Sequence, residues 1–159
     1  MTALIVWERR DGGVALSYIN PDYTDPSQIE DAKIKARAAV ESSSGPVIRH
    51  DYDSDLLPEP SDDERFFDAW EWIEGAVSVN MSKARRMHMD AIRRVRDAEL
   101  VAADITYLRA VEAGDTNAQA RIAAEKQILR DIPQTFDLTS RTPAQLKEKW
   151  PPELPPQSG

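Results

Sequence analysis

The sequence predicts an α+β fold: a small N-terminal β-rich part with one helix, then a C-terminal antiparallel helical hairpin and a short terminal helix. Three observations carry that expectation. Two runs of β-branched and aromatic residues flank Asp11-Gly12-Gly13 near the start. Helical periodicity runs unbroken from Lys83 to Glu112. Ala113-Gly114-Asp115 then interrupts it before a second helical stripe begins.

The runs Leu4-Ile5-Val6-Trp7 and Val14-Ala15-Leu16-Ser17-Tyr18-Ile19 have the composition of strands. The glycines between them supply the positive φ of a tight turn, so a β-hairpin is expected. Asn20-Pro21-Asp22 breaks the pattern. Asp25 then stands as N-cap, Pro26 at the first helical position and Gln28 at the capping-box position. Ile29, Ala32, Ala36, Ala39 and Val40 follow at helical spacing, and Ser42 to Gly45 ends the element. Pro46-Val47-Ile48-Arg49 reads as a short returning strand, so that residues 1–50 form a small ββαβ unit.

Residues 51–64 change character: Asp51, Asp53, Asp55, Glu59, Asp62, Asp63 and Glu64 surround two prolines. Like charges and prolines resist regular structure, which predicts an acidic solvated loop; the alternative is a strap for a basic surface. Residues 65–81 concentrate Phe66, Trp70 and Trp72. A helix start and a twisted hairpin both fit them, and Glu74-Gly75 as a turn favours the hairpin. Such aromatics are core in most proteins and partner contacts in some.

Residues 82–150 are expected to form the helical hairpin and the short helix. Ser82 is the expected N-cap, with Ala84, Met87, His88, Ala91, Ile92, Val95, Ala98, Ala102 and Ile105 on one face. Lys83, Arg85, Arg86, Arg93, Arg94 and Arg96 fill the remaining arc, near the end of the helix whose dipole disfavours cations. An anionic surface, from the acidic segment or from a partner, would compensate them; a solvated basic face is the plainer alternative. Gly114 suits the left-handed position after a helix, and Asp115 or Thr116 caps the next one. Ala118, Ile122, Leu129 and Ile132 form its stripe and Pro133 is expected to stop it. Thr142-Pro143-Ala144-Gln145 opens a last helix ending at Trp150, which would fold back over that stripe. The Pro-rich tail, residues 151–159, is expected to be extended.

Composition narrows the chemistry. The 159 residues are 41% hydrophobic and 30% charged, as in ordinary globular proteins. A net charge of −8 disfavours a nucleic-acid backbone as partner. No apolar run approaches a membrane span, and Met1 to Trp7 lacks the basic start of a secretory leader. There are no cysteines, so disulfides and thiolate chemistry are excluded. No phosphate-binding loop, nucleophile elbow, zinc-helix motif or dinucleotide fingerprint is present. The only histidines are His50 and His88, and His88 lies by the apolar stripe as a packed residue. No catalytic, cofactor-binding or metal-binding residue is therefore expected, and the chain reads as a non-enzyme.

The second half resembles a family. Ser82-Lys83-Ala84-Arg85-Arg86-Met87-His88 and Ile92-Arg93-Arg94-Val95-Arg96 are similar to small proteins encoded in the tail region of tailed phages and prophages. Tyr107-Leu108-Arg109-Ala110-Val111-Glu112-Ala113-Gly114-Asp115 resembles their hairpin motif, and Lys126-Gln127-Ile128-Leu129-Arg130-Asp131-Ile132-Pro133 a second motif. Thr142-Pro143, Leu146-Lys147 and Trp150-Pro151 resemble their terminal pattern. The likeness covers residues 65–154, most closely 82–151, and is to phage tail assembly chaperones, or tail-fibre assembly proteins. The acidic segment lies outside that pattern, and residues 1–64 carry no motif of the group.

The resemblance implies a non-catalytic protein that binds a phage tail, tail-fibre or baseplate protein in the host cytoplasm during assembly. The alternative is a structural component retained in the virion tail, baseplate or fibre attachment. A host-directed regulator or enzyme is a third reading with no motif behind it. Self-association is compatible with each; nucleic acid, membrane and cofactors are not expected. The expected contact residues are Arg85, Arg86, Arg93, Arg94 and Arg96 with Trp70 and Trp72.

Overall fold

A computed structural model describes residues 3–18, 25–53, 57 and 64–157. It is an α+β fold that divides into two compact units, Met1–Ala84 and Arg85–Gly159.

In the N-terminal unit, β1 (Ala3–Glu8) and β2 (Val14–Tyr18) form the expected hairpin. Helix α1 (Pro26–Ser44) follows, and β3 (Ile48–Asp53) returns on the other side of β1. The sheet order is β2-β1-β3, antiparallel throughout, with β1 central. Successive strand side chains alternate between faces. Leu4 and Val6 therefore join Val14, Trp70 and Val77 on one face, while Ile5 and Trp7 join Val47 on the other. Ile29, Ala32, Ala36 and Val40 of α1 cover that second face. A strand buried on both faces has to be apolar at every position, which accounts for the unbroken run from Leu4 to Trp7. Each such side chain contributes about 1.5–3 kcal/mol by leaving water. Asp25 caps α1 through its side chain, which accepts the Ser27 N–H at 2.8 Å.

The first face of the sheet is covered by a second hairpin. A 3-10 turn (Glu64–Ala69) leads into β4 (Trp70–Ile73), which pairs with β5 (Ala76–Val79). Glu74 and Gly75, with φ of 51° and 86°, make the two-residue connection. Positive φ at both positions is what a tight hairpin turn demands, and only the second is a glycine. The second hairpin is stitched to the first: Trp72 donates its backbone N–H to the Gly12 carbonyl at 3.3 Å, and Gly13 bridges to Glu71.

Two expectations need correction here. The acidic segment does not begin at Asp51, because pairing with β1 carries β3 through Asp53. Leu57 packs against the Leu4–Trp70 cluster, and the remainder of the acidic segment lies largely outside the described residues. The long helix α2 (Met81–Glu112) is capped by Asn80 and not by Ser82. Asn80 Oδ1 accepts both the Ser82 and Lys83 N–H groups at 3.0 Å, two of the donors a helix start leaves over.

In the C-terminal unit, α2 ends at Gly114 (φ 67°), where the Asp115 N–H bonds the Ala110 carbonyl and the Gly114 N–H that of Val111. Asp115 then caps α3 (Thr116–Thr135) by accepting the Ala118 N–H at 2.9 Å, giving the expected helical hairpin. Thr142 caps α4 (Pro143–Glu148) in the same manner. His88, Ile92, Ala110, Ile122, Leu129, Ile132, Leu138, Leu146 and Leu154 form the interior.

Several details depart from expectation. Pro133 does not stop α3; it sits in the last turn, and the helix continues to Thr135 before Phe136 closes it on the Ile132 carbonyl. So near the end, the missing N–H costs one bond and no further turn depends on it. Helix α4 stops at Glu148, and Trp150 meets His88 of α2 edge-on at 6.0 Å. The Pro-rich tail is not simply extended. Leu154 is buried and bonds back to the Pro151 carbonyl, while Trp150 Nε1 donates to the Pro155 carbonyl at 2.8 Å.

The largest departure is on α2. Ala84, His88 and Ile92 are buried as expected, but Ala98, Ala102 and Ile105 are exposed. Beyond Ile92 the sheltered line passes through Arg96, Glu99, Ala103, Tyr107 and Ala110. Small residues at Ala103 and Ala110 face the hairpin, and Gln119 of α3 bonds the Ala110 carbonyl at 3.2 Å. Lys126 of α3 lies over the Tyr107 ring and pairs with Asp104.

Candidate interaction surfaces

The basic arc is split by the fold. Arg85 turns inward and donates to the Ser140 carbonyl at 2.8 Å, tying α2 to the segment before α4. Arg96 has only 18% of its side chain exposed and is paired with Asp97 at 2.7 Å. Arg93 pairs with Asp90 at 2.8 Å across one helical turn and stays half exposed. Arg94 contacts its own helix through the Asp90 carbonyl and remains exposed, as does Arg86. Arg86, Arg93 and Arg94 thus keep a cationic surface, whereas Arg85 ties α2 to Ser140 and Arg96 is largely covered.

The two tryptophans also separate. Trp70 is 4% exposed and belongs to the core, so it is withdrawn from the contact surface. Trp72 is half-buried and lies flat on His50, ring centres 3.9 Å apart and planes within 12°. The His50 ring nitrogen Nε2 is 2.9 Å from a Glu8 carboxylate oxygen. Sequence reasoning missed this Glu8–His50–Trp72 group because β1–β3 pairing and the second hairpin bring together positions far apart in the chain.

Beside it, Glu71 ties together the two hairpins and the start of α2. Lys83 pairs with its carboxylate, and Asn80 Nδ2 donates to it at 2.9 Å. Those two bonds, Lys83 first, hold its pKa below the ordinary 4.5. Asp11 in the first turn is likewise held low, chiefly by the Gly13 N–H it accepts at 2.9 Å. The carboxylates here position backbone and cations.

Among the described residues, each unit has an open recess. In the N-terminal unit, a recess of about 500 Å³ between β2 and α1 is lined by Leu16, Ser17, Ala36, Ala39, Ser43 and Phe67. In the C-terminal unit, a groove of about 410 Å³ runs along the hairpin past Ala102, Thr106, Ile122, Glu125 and Ile128. Val101, Ile105, Leu108 and Val111 of α2 are 61%, 49%, 61% and 47% exposed, and Ile128 of α3 is 52% exposed. The signal for this surface was in the sequence: Val101 and Leu108 fall outside the stripe read as the buried face.

Among the described residues, no group of three or more His, Cys, Asp or Glu side chains is arranged to hold a metal ion. No described helix is long and apolar enough to cross a membrane. His88 is buried, its Nε2 2.7 Å from the Lys149 carbonyl, which fixes the ring between α2 and the end of α4. Compared with protein-family models, curated proteins and solved structures, the chain matches none.

Proposed function

We propose that this chain is a phage tail or tail-fibre assembly protein that works by binding a tail structural protein, without catalysis. The observation that carries a binding role is the C-terminal hairpin surface. It leaves Val101, Ile105, Leu108 and Val111 of α2 in water, and the exposed Ile128 of α3 lines an open groove. Contiguous exposed apolar side chains rimmed by charge are the mark of a protein contact site. Arg86, Arg93 and Arg94 add a cationic patch suited to an acidic partner face. The assignment to tail assembly rests on the motifs in residues 82–151.

Quantitative mass spectrometry of purified particles beside lysate from the producing cells tests the reading. The expected result is abundant protein in lysate, bound to a tail protein and depleted from finished particles. Retention at a fixed ratio to a tail protein replaces the assembly role with a structural one. Absence of any tail protein among its partners overturns both. With the partner identified, the double variant R86E/R93E is expected to weaken binding at least about tenfold at low salt, since charge contacts are screened beyond a Debye length. Affinity unchanged in that variant removes the cationic patch from the contact surface.

A further inference from the structure

Along the exposed side of α2, Ala98, Val101, Ile105 and Leu108 recur at alternating steps of three and four residues. Arg94 stands one step before them and Glu112 one step after. This spacing is the seam of a two-stranded coiled coil, in which apolar positions follow every 3.5 residues on average. The hairpin packing uses the opposite side of the helix, through Ile92, Ala103 and Ala110. The seam is therefore a second, unpartnered apolar line, with Val101 and Leu108 each 61% exposed.

We propose that this seam pairs with α2 of a second copy of the same chain, antiparallel, about a two-fold axis level with Ala103. In that register Val101 lies opposite Ile105 of the partner subunit and Ala98 lies opposite Leu108 of the partner subunit. Small meets large and medium meets medium, which keeps the helix spacing even. The same register sets Arg94 against Glu112 of the partner subunit, and the two-fold repeats that ion pair at the other end. A parallel pairing would oppose Arg94 to its own copy and Glu112 to its own copy. Charge thus selects both the occupant and its direction.

With the axis level with Ala103, residues 94–112 of the two α2 helices overlap, so of the basic half Arg94 and Arg96 lie within the paired stretch. Asp104 approaches its own copy beside the axis, and Lys126 already neutralises it within each chain. The apolar seam covers only three turns, so the contact is smaller than a standard interface and the dimer is weak.

Sedimentation of the full chain over a hundredfold concentration range reaching about 0.5 mM reads this directly. Self-association is expected, weakened at least tenfold by L108D and by R94E, and restored when R94E is combined with E112R. Circular dichroism of each variant is expected to match the parent, because the altered side chains are exposed. Since the chain has no cysteine, oxidation adds a directional readout. The double variant A98C/L108C is expected to cross-link two chains. L108C alone is not, because its copy lies about ten residues, or roughly 15 Å, along the axis and a disulfide needs about 7 Å or less. A monomer throughout, a dimer indifferent to L108D and R94E, a charge swap that fails to restore pairing, or efficient L108C cross-linking overturns the proposal. The seam takes Val101, Ile105, Leu108 and Arg94 from the surface offered above to a tail partner and leaves it Arg86, Arg93, Val111 and Ile128; that partner is read separately, by mass spectrometry and the R86E/R93E variant.

Discussion

In the N-terminal unit Leu4, Ile5, Val6 and Trp7 are adjacent in the chain and all buried, whereas on α2 Val101, Ile105 and Leu108 are spaced along one face and all exposed. The first arrangement follows from layering: a central strand between a helix and a hairpin has no solvent side. The second follows from a long helix that meets its neighbour along one line only. Apolar residues in excess of that line have nothing in their own unit to cover them. Both units leave some large apolar side chains exposed, Ile34 and Ile48 among them in the first, but those of α2 recur at regular spacing along one helix.

The sharpest way to break that contrast is Trp7→Ala. Trp7 is 1% exposed and its Nε1 donates to Ser17 at 2.9 Å, so the change removes a large side chain and orphans a hydroxyl partner. A loss of about 3–5 kcal/mol is expected in denaturant unfolding of the N-terminal unit. A loss below about 1 kcal/mol would mean that β1 is not the centre of that unit's stability.

Glu71→Gln probes the junction at intermediate cost. Removing the carboxylate that Lys83 and Asn80 share is expected to lower stability by roughly 1–2 kcal/mol at neutral pH. The sign with pH follows from the lowered pKa. The carboxylate stabilises the folded chain fully above its unfolded value, near 4.5, and that contribution disappears as pH falls through the lower folded value. The stability gap between parent and E71Q should therefore close in acid; a gap constant down to strongly acidic pH rules out the ionised pair as its source.

The smallest expected effect is Asp115→Ala, about 1 kcal/mol, from losing the N-cap of α3. Thermal denaturation of the parent and the variant measures it. An unchanged midpoint would show that the hairpin connection is held by the Gly114 turn alone.

Much of this fold was legible in the residues because the signals are local. Asp25-Pro26, Gly114-Asp115 and Thr142-Pro143 each specify a helix boundary through hydrogen bonds to neighbours two or three positions away. The Glu74-Gly75 hairpin was legible for the same reason. What was not legible depends on distant partners. Asn80 outcompetes Ser82 as cap because β5 delivers it to the helix start, where Glu71 also holds its amide. The inward turn of Arg85 depends on Ser140, and the Glu8–His50–Trp72 stack depends on sheet topology. The face α2 buries past Ile92 depends on where α3 lies. Hydrophobic periodicity alone reports two candidate faces there and cannot choose between them.

The position of β1 has a consequence for how the chain is made. Its partner β3 begins at Ile48, forty positions after β1 ends at Glu8, and α1 is synthesised in between. At ribosomal speeds of about 5–20 residues per second, that delay is roughly 2–8 seconds. During it, β1 and β2 can close their hairpin, but one edge of β1 and the face bearing Ile5 and Trp7 have nothing to pair with. The most deeply buried strand of the finished unit is thus the one that waits longest in the open on the ribosome.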